Sequence, residues 1–193
     1  MAEKRATTRP EGPHLPASEP GGGLRPGEVA LPFDPANEPD ATVAFIGRIR
    51  SPWPKDGACP KNLREAREQA PHVVIELDPR YRAGLEGLGP LSPGGHLVVL
   101  YWMDAARRDV IVQRPRHLDR LVGVFALRSP ARPNPVAMAV VTLQAIDLAA
   151  CTLTVDAIDC YDGTPLLDIK PWLPSVDVPE GHRAANEQEP RRG

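Results

Sequence analysis

Six runs rich in β-branched residues, each stopped by glycine, proline or polar turn chemistry, limit what this chain can fold into more than any other feature. They are residues 42–50 ("TVAFIGRIR"), 72–77 ("HVVIEL"), 96–103 ("HLVVLYWM"), 121–127, 136–146 and 151–158. Runs of that length and punctuation read as strands, and six of them with few helices imply an all-β barrel or sandwich. One short helix is expected over 78–90 ("DPRYRAGLEGLGP"), where Tyr81, Leu85 and Leu88 fall four and three apart and Gly89-Pro90 stops it. Residues 61–70 ("KNLREAREQA") have helical composition but are nearly all polar, which reads as a surface segment with mobile ends.

Residues 1–40 are crowded with proline and glycine and hold no sustained period, so they bury too little apolar surface to offset their ordering entropy. They are expected to be a tail, with "VALPF" (29–33) able to dock, and 181–193 a second, polar tail. That leaves one domain at 41–180, for which 193 residues at 41% hydrophobic content suffice. A net charge of −2 gives no basic excess, so any nucleic-acid contact has to be a local patch. Cys59, Cys151 and Cys160 form no CxxC pair and the five histidines no HxH or HExxH, so no disulfide framework and no metal are expected. No apolar stretch reaches membrane-spanning length and no secretion signal opens the chain, which implies a soluble, cytoplasmic protein. The GxGxxG and GxxxxGK[ST] nucleotide loops are absent.

Three polar stretches interrupt the apolar pattern. In "FALRSPARPNPVAMAVV" (125–141), Arg128, Arg132 and Asn134 sit on a proline-stiffened turn between two strand runs. Forked guanidinium donors there make either a site for a carboxylate or phosphate, or a turn of solvated arginines. In "IDCYDGTPLLDIKPWLPSVD" (158–177), residues 162–165 read as a turn in which glycine supplies positive φ. Asp168 and Lys170 then alternate with Leu167 and Ile169 until Pro171 ends the pairing; they form a surface ion pair or hold an arginine in place. The third, "IGRIRSPWPKDGACPKN" (46–62), carries Trp53 in a loop that either grips an adenine edge or caps one end of the barrel.

"IGRIRSP", "GVFALRSPARPNPVAMAVV" and "DAIDCYDGTPLLDIKPWLP", in that order over about residues 43–179, resemble the TsaA/TrmO family. The resemblance implies a single-sheet β-barrel that uses S-adenosylmethionine and yields S-adenosylhomocysteine. It further implies a homodimer that methylates N6 of threonylcarbamoyladenosine beside the tRNA anticodon. Carried over position by position, it puts Pro60, Lys61 and Asn62 of the first loop on the cofactor, and Asp104 and Ala105 at the next contact, where the family carries other side chains. Arg128 matches an arginine beside the methionine carboxylate, and Met138 with Ile158, Asp159, Cys160 and Tyr161 lines the rest of the pocket. Arg132, Asn134, Asp162, Asp168 and Lys170 complete a rim that faces the tRNA or braces the partner arginine, and Tyr161 or Asp162 is the candidate acceptor for the proton of the target nitrogen. Ala137 stands where the family usually has glycine, and longer TrmO proteins continue into a further tRNA-contacting domain beyond the counterpart of "KPWLPSVD". Two other readings therefore stay open: a binding module that holds the cofactor and regulates a partner, and a methyltransferase for another RNA or a small molecule.

Overall fold

The computed structural model describes residues 23–37, 40–69, 72–88, 93–116 and 118–180. The expected tails at 1–22 and 181–193, Ala70, and the Gly89-Pro90 helix stop lie outside the described residues. In chain order the elements are β1 (Val29–Ala30), β2 (Gly47–Arg50), α1 (Leu63–Gln69), β3 (Val73–Leu77) and α2 (Arg82–Glu86), then β4 (His96–Trp102), β5 (Val110–Gln113) and β6 (Val122–Gly123). They continue with β7 (Val136–Asp147), β8 (Thr152–Val155), β9 (Thr164–Pro171) and α3 (Pro174–Asp177). Six strands close a barrel in the order β2-β3-β8-β7-β4-β9, and β2 pairs back onto β9 so that neither edge is left open. Every ladder in it is antiparallel.

Period-two alternation explains the closure. Val73, Ile75 and Leu77 of β3, Leu97, Val99 and Tyr101 of β4, Ala139, Val141 and Leu143 of β7, and Leu153 and Val155 of β8 all face inward and are buried. Leu85 of α2 covers the same core. The expected helix is present as a 3-10 turn at Pro79–Tyr81, capped by the Asp78 carboxylate on the Arg80 amide, running into α2.

Residues 61–70 do more than lie on the surface. Asn62 Oδ1 accepts from the Glu65 amide at 3.0 Å as an N-cap, and the Glu65 carboxylate accepts from the Lys61 amide, just ahead of the cap, at 3.0 Å. The resulting α1 buries Ala66 and is tied to the barrel by Arg67, which donates to Asp156 at 2.6 Å and to the Val140 carbonyl at 3.1 Å.

The run 121–127 is not one strand: only Val122–Gly123 is extended, and Val124–Ala126 is a 3-10 turn. Its carbonyls at Val124 and Leu127 are taken by the Arg132 guanidinium, so they need no strand partner. Strand pairing also starts later and stops sooner than the other runs suggest. Only Gly47–Arg50 of 42–50 is in β2, and β8 ends at Val155 because the Asp156 carboxylate, not a ladder carbonyl, takes the Thr142 amide. "VALPF" does dock: Val29–Ala30 pairs with β5, which pairs in turn with β6, as a small sheet beside the barrel.

Candidate active site

A cleft of about 810 Å³ opens where the start of α1, the end of β4, the first half of β7, the 128–132 loop and the β8–β9 connection meet. Pro60, Lys61, Asn62, Arg128, Arg132, Met138, Asp159 and Tyr161 line it, as do Cys59, Arg64, Tyr101 and Val136. Three sequence-distant stretches thus converge because β7 carries 136–140 past the end of β4, with Met138 opposite Leu100 and Ala137 opposite Tyr101.

The proline-rich loop is held from several sides. Arg132 donates from Nε to the Ser129 carbonyl at 2.8 Å and from Nη2 to the carbonyls of Val124 (3.0 Å) and Leu127. Arg108, stacked 5.3 Å from the Trp102 ring, donates to the Pro133 carbonyl at 2.7 Å and to Asn134 Oδ1 at 3.2 Å. Gln113 Nε2 donates to the Ala131 carbonyl at 2.9 Å. Arg132 is therefore a brace through its Nε and Nη2 donors, and Asn134 is part of the same bracing, not a lining residue. Arg128 has no hydrogen-bond or ion-pair partner among the described residues, and its guanidinium is exposed at the cleft. The loop thus fixes its backbone with one arginine and leaves the other free to bind.

At the other wall the buried Tyr101 hydroxyl donates to Asp159 Oδ1 at 3.1 Å. Burial, then the Asp159 charge, raises the phenol above its ordinary range, so Tyr101 stays a proton donor to that carboxylate. Among the described residues, Asp159 is the one carboxylate lining the cleft. Burial pushes the nearby Cys59 thiol up to about 11, with the Asp159 charge adding to it, and Cys160 shifts upward for the same first reason. Both thiols are neutral near pH 7.

Other expected site residues lie elsewhere. Ile158 and Cys160 are fully buried behind the lining, although the Cys160 carbonyl accepts from Ser51 Oγ at 2.6 Å and the Ile158 carbonyl from Trp53 Nε1 at 3.3 Å. Trp53 therefore pins the 51–62 loop against the 158–162 strip and does not line the cleft. Asp162 is outside it, 3.8 Å from Arg50 and next to Gly163, whose φ of 76° makes the turn that Thr164 closes onto the Tyr161 carbonyl. Asp104 pairs with Lys55 at 2.9 Å in an exposed turn with Ala105, also outside the lining. Asp168 and Lys170 pair with each other at 2.5 Å on β9, outside the cleft. The sequence reading missed Arg64, Tyr101 and Val136 as lining residues and Arg108 as a brace. Asn62 as N-cap, with Glu65 three residues on, was the available signal for the helix that brings Arg64 to the cleft.

Residues 48–178 match the family described as tRNA-methyltransferase O N-terminal domain. Over 148 residues the chain is 35% identical to a probable S-adenosyl-L-methionine-binding protein, VirR, of Rhizobium radiobacter, covering 77% of this chain and 79% of that one. It is 33% identical over 156 residues to a putative S-adenosylmethionine-dependent methyltransferase, RcsF, of Pseudomonas aeruginosa, covering 77% and 62%. A crystal structure of TrmO from P. aeruginosa superposes with a TM-score of 0.54 at 34% identity, over 73% of this chain but only 58% of that one. With residues 48–178 matched, more than half of the chain, and the fold shared, the chain belongs to the TsaA/TrmO family.

Proposed function

We propose that this protein is an S-adenosylmethionine-dependent methyltransferase whose acceptor is N6 of threonylcarbamoyladenosine beside the anticodon of tRNA. The observation that carries the reading is the Arg128 guanidinium, unpartnered among the described residues, in a cleft whose one carboxylate among those residues is Asp159. The residues suit the cofactor. A cleft of about 810 Å³ lies in the size range of small-molecule sites, a forked cation matches an α-carboxylate, and Val136 and Met138 offer an apolar wall. When bound, the cofactor supplies a sulfonium-activated methyl group.

The chain's own part is then mainly positioning. Methyl transfer is an in-line displacement, so fixing the approach of acceptor to donor lowers the barrier without covalent help. Arg128 anchors one end of the ligand, and the braced loop keeps that anchor in place. Asp159, oriented through Oδ1 by Tyr101, has Oδ2 available to take the proton of the acceptor N–H. Tyr161 shares the cleft and is the second candidate for that role, whereas Asp162 faces Arg50 outside it. Lys61 and Arg64 at the mouth supply cations toward RNA phosphate. A homodimer completes the reading: Phe125 is 82% exposed on the turn that Arg132 holds, and Val136 and Met138 are half exposed on the adjoining wall.

Calorimetric titration with S-adenosylmethionine and S-adenosylhomocysteine tests the cofactor site. Saturable binding that weakens at least about tenfold in Arg128→Ala is expected, the size of a lost charge-assisted hydrogen bond. Incubation with tRNA from a strain lacking the corresponding gene tests the acceptor. S-adenosylhomocysteine formed in proportion to added tRNA supports it; binding without turnover leaves a cofactor-holding module instead.

A further inference from the structure

A second recess, of about 350 Å³, lies on the small sheet away from the cleft lining and is walled by Arg25, Arg114, Pro115, Arg116, Leu118 and Asp119. We propose that it is an anchor for the phosphate backbone of the RNA acceptor, separate from the catalytic cleft; this rests on the tRNA reading above.

Charge is the first support. Residues 107–120 carry five arginines against two aspartates in a chain whose net charge is −2. Arg107 is paired with Asp109 at 2.6 Å, and Arg108 is committed to the proline-rich loop. Arg114 has only the fully exposed Asp119 carboxylate at 3.7 Å, and Arg116 and Arg120 have no partner among the described residues. Unsatisfied guanidinium forks of this kind suit phosphate oxygens.

Rigidity is the second. The Glu28 side chain, only 8% exposed, accepts from the Arg25 amide at 3.0 Å, from Arg25 Nη2 at 2.7 Å and from the Arg114 amide at 2.8 Å. That one carboxylate neutralises Arg25 and clamps the two walls together, so Arg114 and Arg116 are presented from a preorganised frame.

Connection to the cleft is the third. β5 runs into the recess, and its Gln113 side chain holds Ala131 of the loop whose Arg128 lines the cleft. Recess and cleft are thus joined through one strand and one loop. The Arg25–Glu28 wall lies before the matched residues 48–178, so part of the recess is built by chain outside the shared domain.

The test measures binding of a full-length unmodified tRNA transcript to the whole protein by fluorescence anisotropy between about 50 and 200 mM salt. Variants are Arg114→Ala/Arg116→Ala and Asp119→Asn, with S-adenosylhomocysteine titration alongside. The double variant is expected to bind tRNA roughly tenfold more weakly at the low-salt end, with a log–log salt slope reduced by about 1 to 2 and unchanged nucleoside affinity. Asp119→Asn, which removes the recess's own carboxylate, is expected to tighten tRNA binding about twofold. Wild-type affinity and slope in the double variant overturn the anchor while leaving the tRNA reading intact. Absence of tRNA binding by the wild type at low salt overturns both. If the double variant also loses nucleoside binding, Asp119→Asn decides, and its failure to tighten tRNA binding overturns the anchor.

Discussion

Glu28 accepts hydrogen bonds from two backbone amides and a guanidinium, and the Arg114 amide, then the Arg25 amide, contribute most to lowering its carboxyl from the usual glutamate range to about 2. A folded-state value below the unfolded one means that the contribution to stability is present above about 4.5 and is lost as pH falls through about 2. Glu28→Gln is therefore expected to melt a few degrees below wild type at pH 7, with the gap closing as pH approaches about 2; paired thermal melts across that range check it. The two motif arginines make a residue-scale contrast. "FALRSPARPNP" announced both, yet which one is left without a partner among the described residues and which one braces depends on carbonyls that Val124, Leu127 and Ser129 present only after the turn has formed.

At the scale of elements, β2 and β3 approach so closely at Gly47 that a Cβ there would lie 2.1 Å from the Glu76 carbonyl oxygen. The obstacle is backbone in a closed ladder and cannot swing aside. Gly47→Ala is expected to destabilise by about 3 kcal/mol, near the upper end of overpacking costs, and to lower Tm by roughly 6–12 °C, read by calorimetry. Strand runs were legible where one face is buried along the run, as in β3, β4 and the middle of β7. They were misjudged where side chains satisfy the backbone: Arg132 ends the run at 121–127, and Asp156 ends β8. β5, four residues flanked by arginines and proline, gave little local signal because its partners are two-residue strands.

For the whole molecule, an exposed phenylalanine beside a half-exposed apolar wall is the surface that a second copy of the chain would cover. Sedimentation is expected to give a dimer for the wild type and to shift toward monomer for Phe125→Asp, with the barrel's melting little changed. A monomeric wild type would remove the dimer from the proposed function.

By itself the sequence determined an all-β chain, five of the six barrel strands and the three stretches that carry the family's motifs; the run 121–127 lies outside the barrel, and β9 takes the sixth place. Those are local properties: side-chain period, turn chemistry and residue type are written in neighbouring letters. Only the tertiary structure decided that Asp159 and not Asp162 enters the cleft, that Trp53 pins a loop, that Arg132 is a brace, and that the 29–33 stretch joins a sheet. Each of these depends on which distant backbone group arrives within about 3 Å, and that is set by barrel register, not by sequence spacing.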